Sequence, residues 1–356
     1  MANESAGERD VEREFKVDEL FFSTTDTKGI ILYGNEVFTR IAGYEFSELV
    51  GKPHNIIRHS DVPRCVFKLV WDYLEAGKTV SGYVKNKAKD GSYYWVLAIL
   101  MPCRDGYLSI RLKPSSELFT TVQGVYKSLL ELENNLEASG ASRKDAIAAS
   151  TDKLLEVLTS VGFADYDEFM TTALVAEMKA RDELSLVVAH GSKATSGKLK
   201  ELYDKCHNLD EQLALLCDKV SAYYPINNDI IEKAGSILET ADSVREMSLG
   251  ALNLVGIQEK GGNGEVGGRN VDMTKRTRIL KKYLNEIMFA VQASKLKVEM
   301  TKFFINEVAG GGAGNEKDLQ HNIDLLVESC ASSSKDISAN FQRYILRIQI
   351  ALQAFE

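Results

Sequence analysis

Two rhythms divide the chain. Between Phe21 and Leu112, apolar and polar residues alternate in short runs with a period of two; from Glu117 onward, apolar residues recur every three or four positions. The first rhythm predicts strands at Phe21–Asp26, Ile30–Tyr33, Val80–Asn86, Tyr93–Leu100 and Tyr107–Leu112. Asp26-Thr27-Lys28-Gly29 closes the first hairpin, with Gly29 free to take positive φ. Asp90-Gly91 and Asp105-Gly106 predict two more, on the rule that both central residues of such turns favour φ > 0. Between the second and third strands the spacing turns helical: Asn35 to Ile41, stopped at Gly43; a short turn at Ser47-Glu48-Leu49; and a helix opening at Pro63, carrying Val66, Phe67, Val70, Trp71 and Leu74 to Gly77. The order β-β-α-α-α-β-β-β describes an α+β domain with five antiparallel strands.

The second rhythm predicts helices at Glu117–Ala138, leading away from the sheet, at Ser142–Leu158 with Ser142 as cap, and at Asp165–Val188, with His190-Gly191-Ser192 as a stop. Leu199–Tyr223 follows, interrupted at Pro225 and resuming over Ile226–Leu254. Lys275–Val308 and Glu316–Phe355 are the last two, separated by Gly310-Gly311-Gly312-Ala313-Gly314. The expected organisation is a disordered polar N-terminus (1–17), a sheet domain (18–114), a signal helix (115–140) and an all-α bundle or coiled-coil region (141–356).

Composition narrows the function. The 356 residues carry a net charge of −8 without a basic block, which argues against nucleic acid as a partner. The five cysteines are scattered, with no disulfide framework, as expected in a reducing cytoplasm. No apolar run is long enough to span a membrane. The glycine tract lacks the Lys-Ser or Lys-Thr of a phosphate-binding loop, and Cys206-His207 with Cys217 lacks metal-site spacing. With no kinase or nucleotide-cyclising motif, the chain reads as a non-enzyme.

The candidate chemistry lies in Pro53-His54-Asn55-Ile56-Ile57-Arg58-His59-Ser60-Asp61-Val62-Pro63, which crowds two imidazoles, a guanidinium and a carboxylate together, suited to a polar, anionic cofactor. This run resembles the flavin-binding PAS domain of the bacterial aerotaxis receptor family. So do Ser23-Thr24-Thr25-Asp26, Gly43-Tyr44, Lys85-Asn86, Tyr94-Trp95-Val96 and Gly106-Tyr107-Leu108-Ser109-Ile110-Arg111. The resemblance covers about residues 18 to 130 and implies FAD as cofactor. It implies Arg58 and His59 as partners of the pyrophosphate or flavin carbonyls, and Asp61 as an orienting group. Trp71 would be a stacking face, and Asn35 and Asn86 would be amides matched to the flavin edge. The other ligand reading is haem, held by His54 or His59; a cofactor-free dimerisation scaffold is the third.

A second resemblance lies near 251–269. Ala251-Leu252-Asn253, Gly264-Glu265 and Gly268-Arg269 are similar, in a worn form, to the hairpin tip of bacterial chemoreceptors. It implies a tip that meets a chemotaxis histidine kinase and its coupling protein, and the long helices point to a homodimer.

Overall fold

The computed structural model describes residues 7–184, 192–194, 196–254, 265–310 and 316–353. Strands β1 (Phe21–Thr25), β2 (Ile31–Gly34), β3 (Val80–Lys87), β4 (Tyr93–Cys103) and β5 (Gly106–Leu112) form one antiparallel sheet in the order β2-β1-β5-β4-β3. Helices α1 (Glu36–Ala42), α2 (Phe46–Leu49) and α3 (Arg64–Glu75) fall between β2 and β3, with a 3₁₀ turn at His54–Ile57.

Local chemistry sets these boundaries. Asn35 Oδ1 caps α1 by accepting from Phe38 N at 3.1 Å, and Gly43 closes it in the left-handed region at φ 71°. The turn before β4 departs from the expected geometry. Gly91 takes φ 87°, but among the described residues no non-glycine has positive φ, so Asp90 is not a primed-turn residue. Its carboxylate instead accepts from Ser92 N at 3.0 Å, an Asx-type closure.

Both sheet faces are covered, which is why β4 reads as an almost unbroken apolar run. The inner face packs Phe21, Tyr94, Val96 and Ala98 against Phe38, Ile41, Leu49 and Ile57. The outer face meets α4 (Glu117–Ala138) and α6 (Tyr166–Leu184). Tyr126 of α4 donates to Tyr83 O at 2.9 Å, and Tyr166 of α6 donates to Ser81 O at 3.0 Å. Helix α4 therefore folds back over the sheet instead of leading away from it. α5 (Arg143–Ser160) packs on α3 and α4, with Ser142 Oγ accepting from Asp145 N as cap.

Two buried carboxylates fasten this layer. Glu133 of α4 accepts from Arg64 N and Cys65 N, each at 3.1 Å, and from Ser150 Oγ at 2.7 Å. It thereby caps α3, whose own N-cap position holds Pro63 without a side-chain cap. Glu177 of α6 accepts from Tyr83 Oη, Ser116 N and Ser116 Oγ at 2.7–2.9 Å. The N-terminal residues 8–13 are ordered, against expectation: Arg9 N donates to Gly91 O, Tyr93 N to Val11 O and Arg13 N to Tyr93 O.

α7 (Gly197–Leu254), α8 (Glu265–Ala309) and α9 (Glu316–Gln353) complete the chain. α7 runs through Pro225 without a break, contrary to the interruption read from sequence. α8 begins ten residues earlier than Lys275, so Gly267 and Gly268 are helical. Residues 255–264 and 311–315, which hold most of the glycine-rich tip and tract, lie outside the described residues. The chain divides into two compact units: Met1–Gln212 with Gln292–Ser332, and Leu213–Val291 with Ser333–Glu356. In the first, Lys302 of α8 pairs with Asp210 of α7 at 2.7 Å. In the second, Tyr224 of α7 donates to Asn285 of α8 at 2.9 Å, and Tyr223 meets the Tyr344 ring of α9 at 6.0 Å. Among the described residues no helix is long and apolar enough to cross a membrane.

Candidate functional site

A cavity of about 350 Å³ opens between the inner sheet face and α3. That volume falls within the roughly 300–1,000 Å³ of small-molecule pockets. Its apolar wall comes from α3 (Val66, Phe67, Val70, Leu74) and from Val84, Val96, Ala98 and Leu100 of the sheet. Its polar wall comes from Ser23, His54, Asn86, Ser109 and Arg111, with Lys28, Asn55 and Arg58 nearer solvent. Trp71 stands over Gly29, where a Cβ would lie 3.2 Å from the indole, and meets Tyr107 edge to face at 5.7 Å.

Arg111 is the deepest charge. It is 2% exposed, and its Nε donates to Ser109 Oγ at 3.1 Å. Its Nη2 reaches Ser23 Oγ and lies 3.0 Å from His54 Nε2, and its guanidinium stacks over Phe38 at 4.8 Å. Nη1 is buried without any partner. Among the described residues no carboxylate offsets the Arg111 charge, and burial lowers its pKa to about 10. A guanidinium only donates, so His54 Nε2 must accept, leaving the proton of the neutral ring on Nδ1. Enclosure by protein, and then the Arg111 charge, hold the His54 pKa down at about 3. Arg58 stacks over Phe67 at 4.0 Å while its backbone bridges Asn86, and burial lowers its pKa. Among the described residues, two guanidiniums and an ammonium border the cavity; no carboxylate and no cysteine does.

The sequence pattern of the PAS fold matches residues 31–107. The N-terminal domain is a PAS domain. Over 117 residues the chain is 39% identical to the aerotaxis receptor of Escherichia coli, covering 32% of this chain and 23% of that protein. Over 148 residues it is 27% identical to the biofilm dispersion protein BdlA of Pseudomonas aeruginosa, covering 41% of this chain and 33% of that protein. A solved light-oxygen-voltage domain studied with a flavin analogue is 25% identical, covering 33% of this chain and 86% of that one, with a TM-score of 0.25. The chain thus spans a third or less of the curated relatives named here.

Within the PAS domain, three of the six residues singled out from sequence line the cavity: Arg58, Trp71 and Asn86. The other three lie outside it. Asn35 is 2% exposed and spends its amide on the backbone, accepting from Phe22 N and donating to Leu20 O, both at 2.9 Å. His59 turns towards Tyr93, and its Nδ1 accepts from Asp61 N at 3.1 Å. Burial, then Lys85, lower the His59 pKa. Asp61 pairs with Lys85 at 2.7 Å; burial pushes its carboxyl up, but Lys85, His59 and Ser60 together outweigh this and leave it low. His54, Ser23, Ser109 and Arg111 were not singled out as flavin contacts, although they form the polar wall. The signal was present in Ser109-Ile110-Arg111: a charge in a strand otherwise buried on both faces needs a partner.

Proposed function

We propose that this chain is a flavin-binding redox sensor that holds FAD in the PAS cavity and signals through its helices. What supports the reading most is the charge of the cavity: Arg111 is buried with one donor unspent, Arg58 and Lys28 stand nearer the mouth, and no acid among the described residues lines the cavity. Such a site favours a planar acceptor with anionic character. Arg111, Asn86 and Ser109 would hold the ring edge, the apolar face of α3 its flat side, and Arg58 and Lys28 the diphosphate. FAD, when bound, supplies a ring whose charge and hydrogen-bonding pattern change on reduction. Arg111 would meet added negative charge, and His54, kept neutral beside it, would add no second positive charge. The relatives named as an aerotaxis receptor and a biofilm dispersion protein fit a role in sensing.

Haem fits less well. His54 Nε2 is engaged by a guanidinium that would oppose a metal cation, and His59 lies outside the cavity. A chemotaxis histidine kinase with its coupling protein is the proposed output partner, met by a homodimer of the helices. The deciding measurement is the visible spectrum of the purified protein, followed by FAD titration. Flavin bands and stoichiometric uptake support the reading. A Soret band, or a colourless protein that takes up no FAD, overturns it.

A further inference from the structure

The C-terminal part of α8 has no role so far, yet it lies against the PAS sheet. Phe304 is fully buried, edge to face with Phe22 at 5.1 Å and Tyr33 at 6.2 Å, on the outer face of β1 and β2. Val298, Met300 and Ile305 of the same stretch are buried too, and polar groups fasten its other side. Glu299 pairs with Arg181 of α6 at 2.8 Å, and Arg181 also donates to Val17 O and Asp18 O at the entrance to β1. Lys297 donates to Ser329 O of α9 at 3.0 Å. A segment apolar on one side and ion-paired on the other can shift without unfolding the domain beneath it.

β1 is the shortest route from the cavity to this segment. Adjacent residues on a strand point to opposite faces. Ser23 faces the cavity and accepts from Arg111; Phe22, its neighbour, faces Phe304. Phe22 is also clasped at its backbone, its N–H to Asn35 Oδ1 at 2.9 Å and its C=O to Asn35 N at 3.0 Å. A change in what Arg111 holds therefore acts on a strand fixed at Phe22, and close-packed aromatic contacts respond in discrete steps instead of yielding smoothly.

We propose that residues 297–306 are a strap over the outer face of β1 and β2, tightened or released by what the cavity holds. The proposal rests on a ligand-responsive cavity, as argued above, but it assigns the receiving element to α8 and not to α4. Tightening keeps Phe22 and Tyr33 covered; release uncovers them beside Phe46, which is already 41% exposed and 5.9 Å from Tyr33.

The test is amide hydrogen exchange of the full chain with FAD, in air and after dithionite, comparing peptides from 297–306 with peptides from α4. The expected result is a change on the order of five- to tenfold in exchange at 297–306 and little change in α4. Phe304→Ala should speed exchange there and abolish the redox difference while flavin absorbance is retained; Phe304→Leu gives the same reading in milder form if the alanine variant fails to fold. Arg111→Met, studied without FAD, perturbs Ser23 from inside and should also shift exchange at 297–306. If FAD binds and bleaches but exchange at 297–306 stays constant, the strap is wrong and the flavin reading stands. If FAD does not bind but Arg111→Met shifts the segment, the strap stands and the flavin reading fails. No shift in either experiment overturns the strap.

Discussion

Arg111 is a cation that the fold buries beside a neutral imidazole instead of a carboxylate. Desolvating it is costly, and an anionic ligand would offset that cost. Arg111→Met should therefore weaken FAD binding by about ten- to hundredfold, or ~1.4–2.8 kcal/mol, measured by flavin fluorescence titration. His54 gives a pH signature with a definite sign. Its folded pKa of about 3 lies below the ordinary value of 6.5, so the unfolded chain binds the extra proton between these values. The neutral ring's contribution is complete above about pH 6.5 and is lost as pH falls towards 3. His54→Asn should flatten the acid side of the melting-temperature profile, removing a slope of up to ~1.4 kcal/mol per pH unit. Calorimetric scans from about pH 7 to 4 on both proteins check it. This pair was hard to read in the sequence because its members lie 57 positions apart, one in a 3₁₀ turn and one in β5, and only the tertiary fold joins them. Asn35 is the opposite case: its amide type was visible, but its position just before α1 suits a cap as readily as a ligand contact.

At the scale of elements, local signals translated well. The strands, the stop at Gly43, the Ser142 cap and the full span of α4 were legible because each depends on neighbours in sequence. Non-local terms decided the rest. Pro225 removes a helical N–H and should break α7, yet the helix continues, with packing at Tyr224 and Asn227 on either side of an exposed ring. The apolar stripe of α4 showed that one face is buried but not what buries it. Glu133 belongs here too: a carboxylate inside an amphipathic stripe looks like a flaw until it is seen capping α3. Glu133→Ala would strand two amide donors, while the Ser150 hydroxyl keeps Ile147 O at 3.1 Å. A loss of about 2–4 kcal/mol is expected, read as a lower urea midpoint for the sheet domain followed by tryptophan fluorescence.

For the molecule as a whole, the sheet has helices on one side and a cavity with its own small helices on the other, so the PAS domain is not self-sufficient in surface. A fragment ending at residue 140 would keep α4 but lose Tyr166, Glu177 and Phe304, baring Ser81, Tyr83 and Phe22. Each large side chain returned to water costs about 1.5–3 kcal/mol. That fragment should self-associate or melt well below the full chain, checked by size-exclusion chromatography with light scattering and by thermal melts. The division of the chain into a sensor and a separate helical region, plain in the hydrophobic rhythm, is thus less sharp in three dimensions: the unit containing the sheet also takes in 292–332.

All five thiols of the chain stand away from the cavity wall. A ligand held there as proposed would find no thiol to bond, so no cysteinyl adduct could outlast the signal that made it. The state of such a sensor would follow the surroundings of the moment, at a pace set by ligand exchange and electron supply.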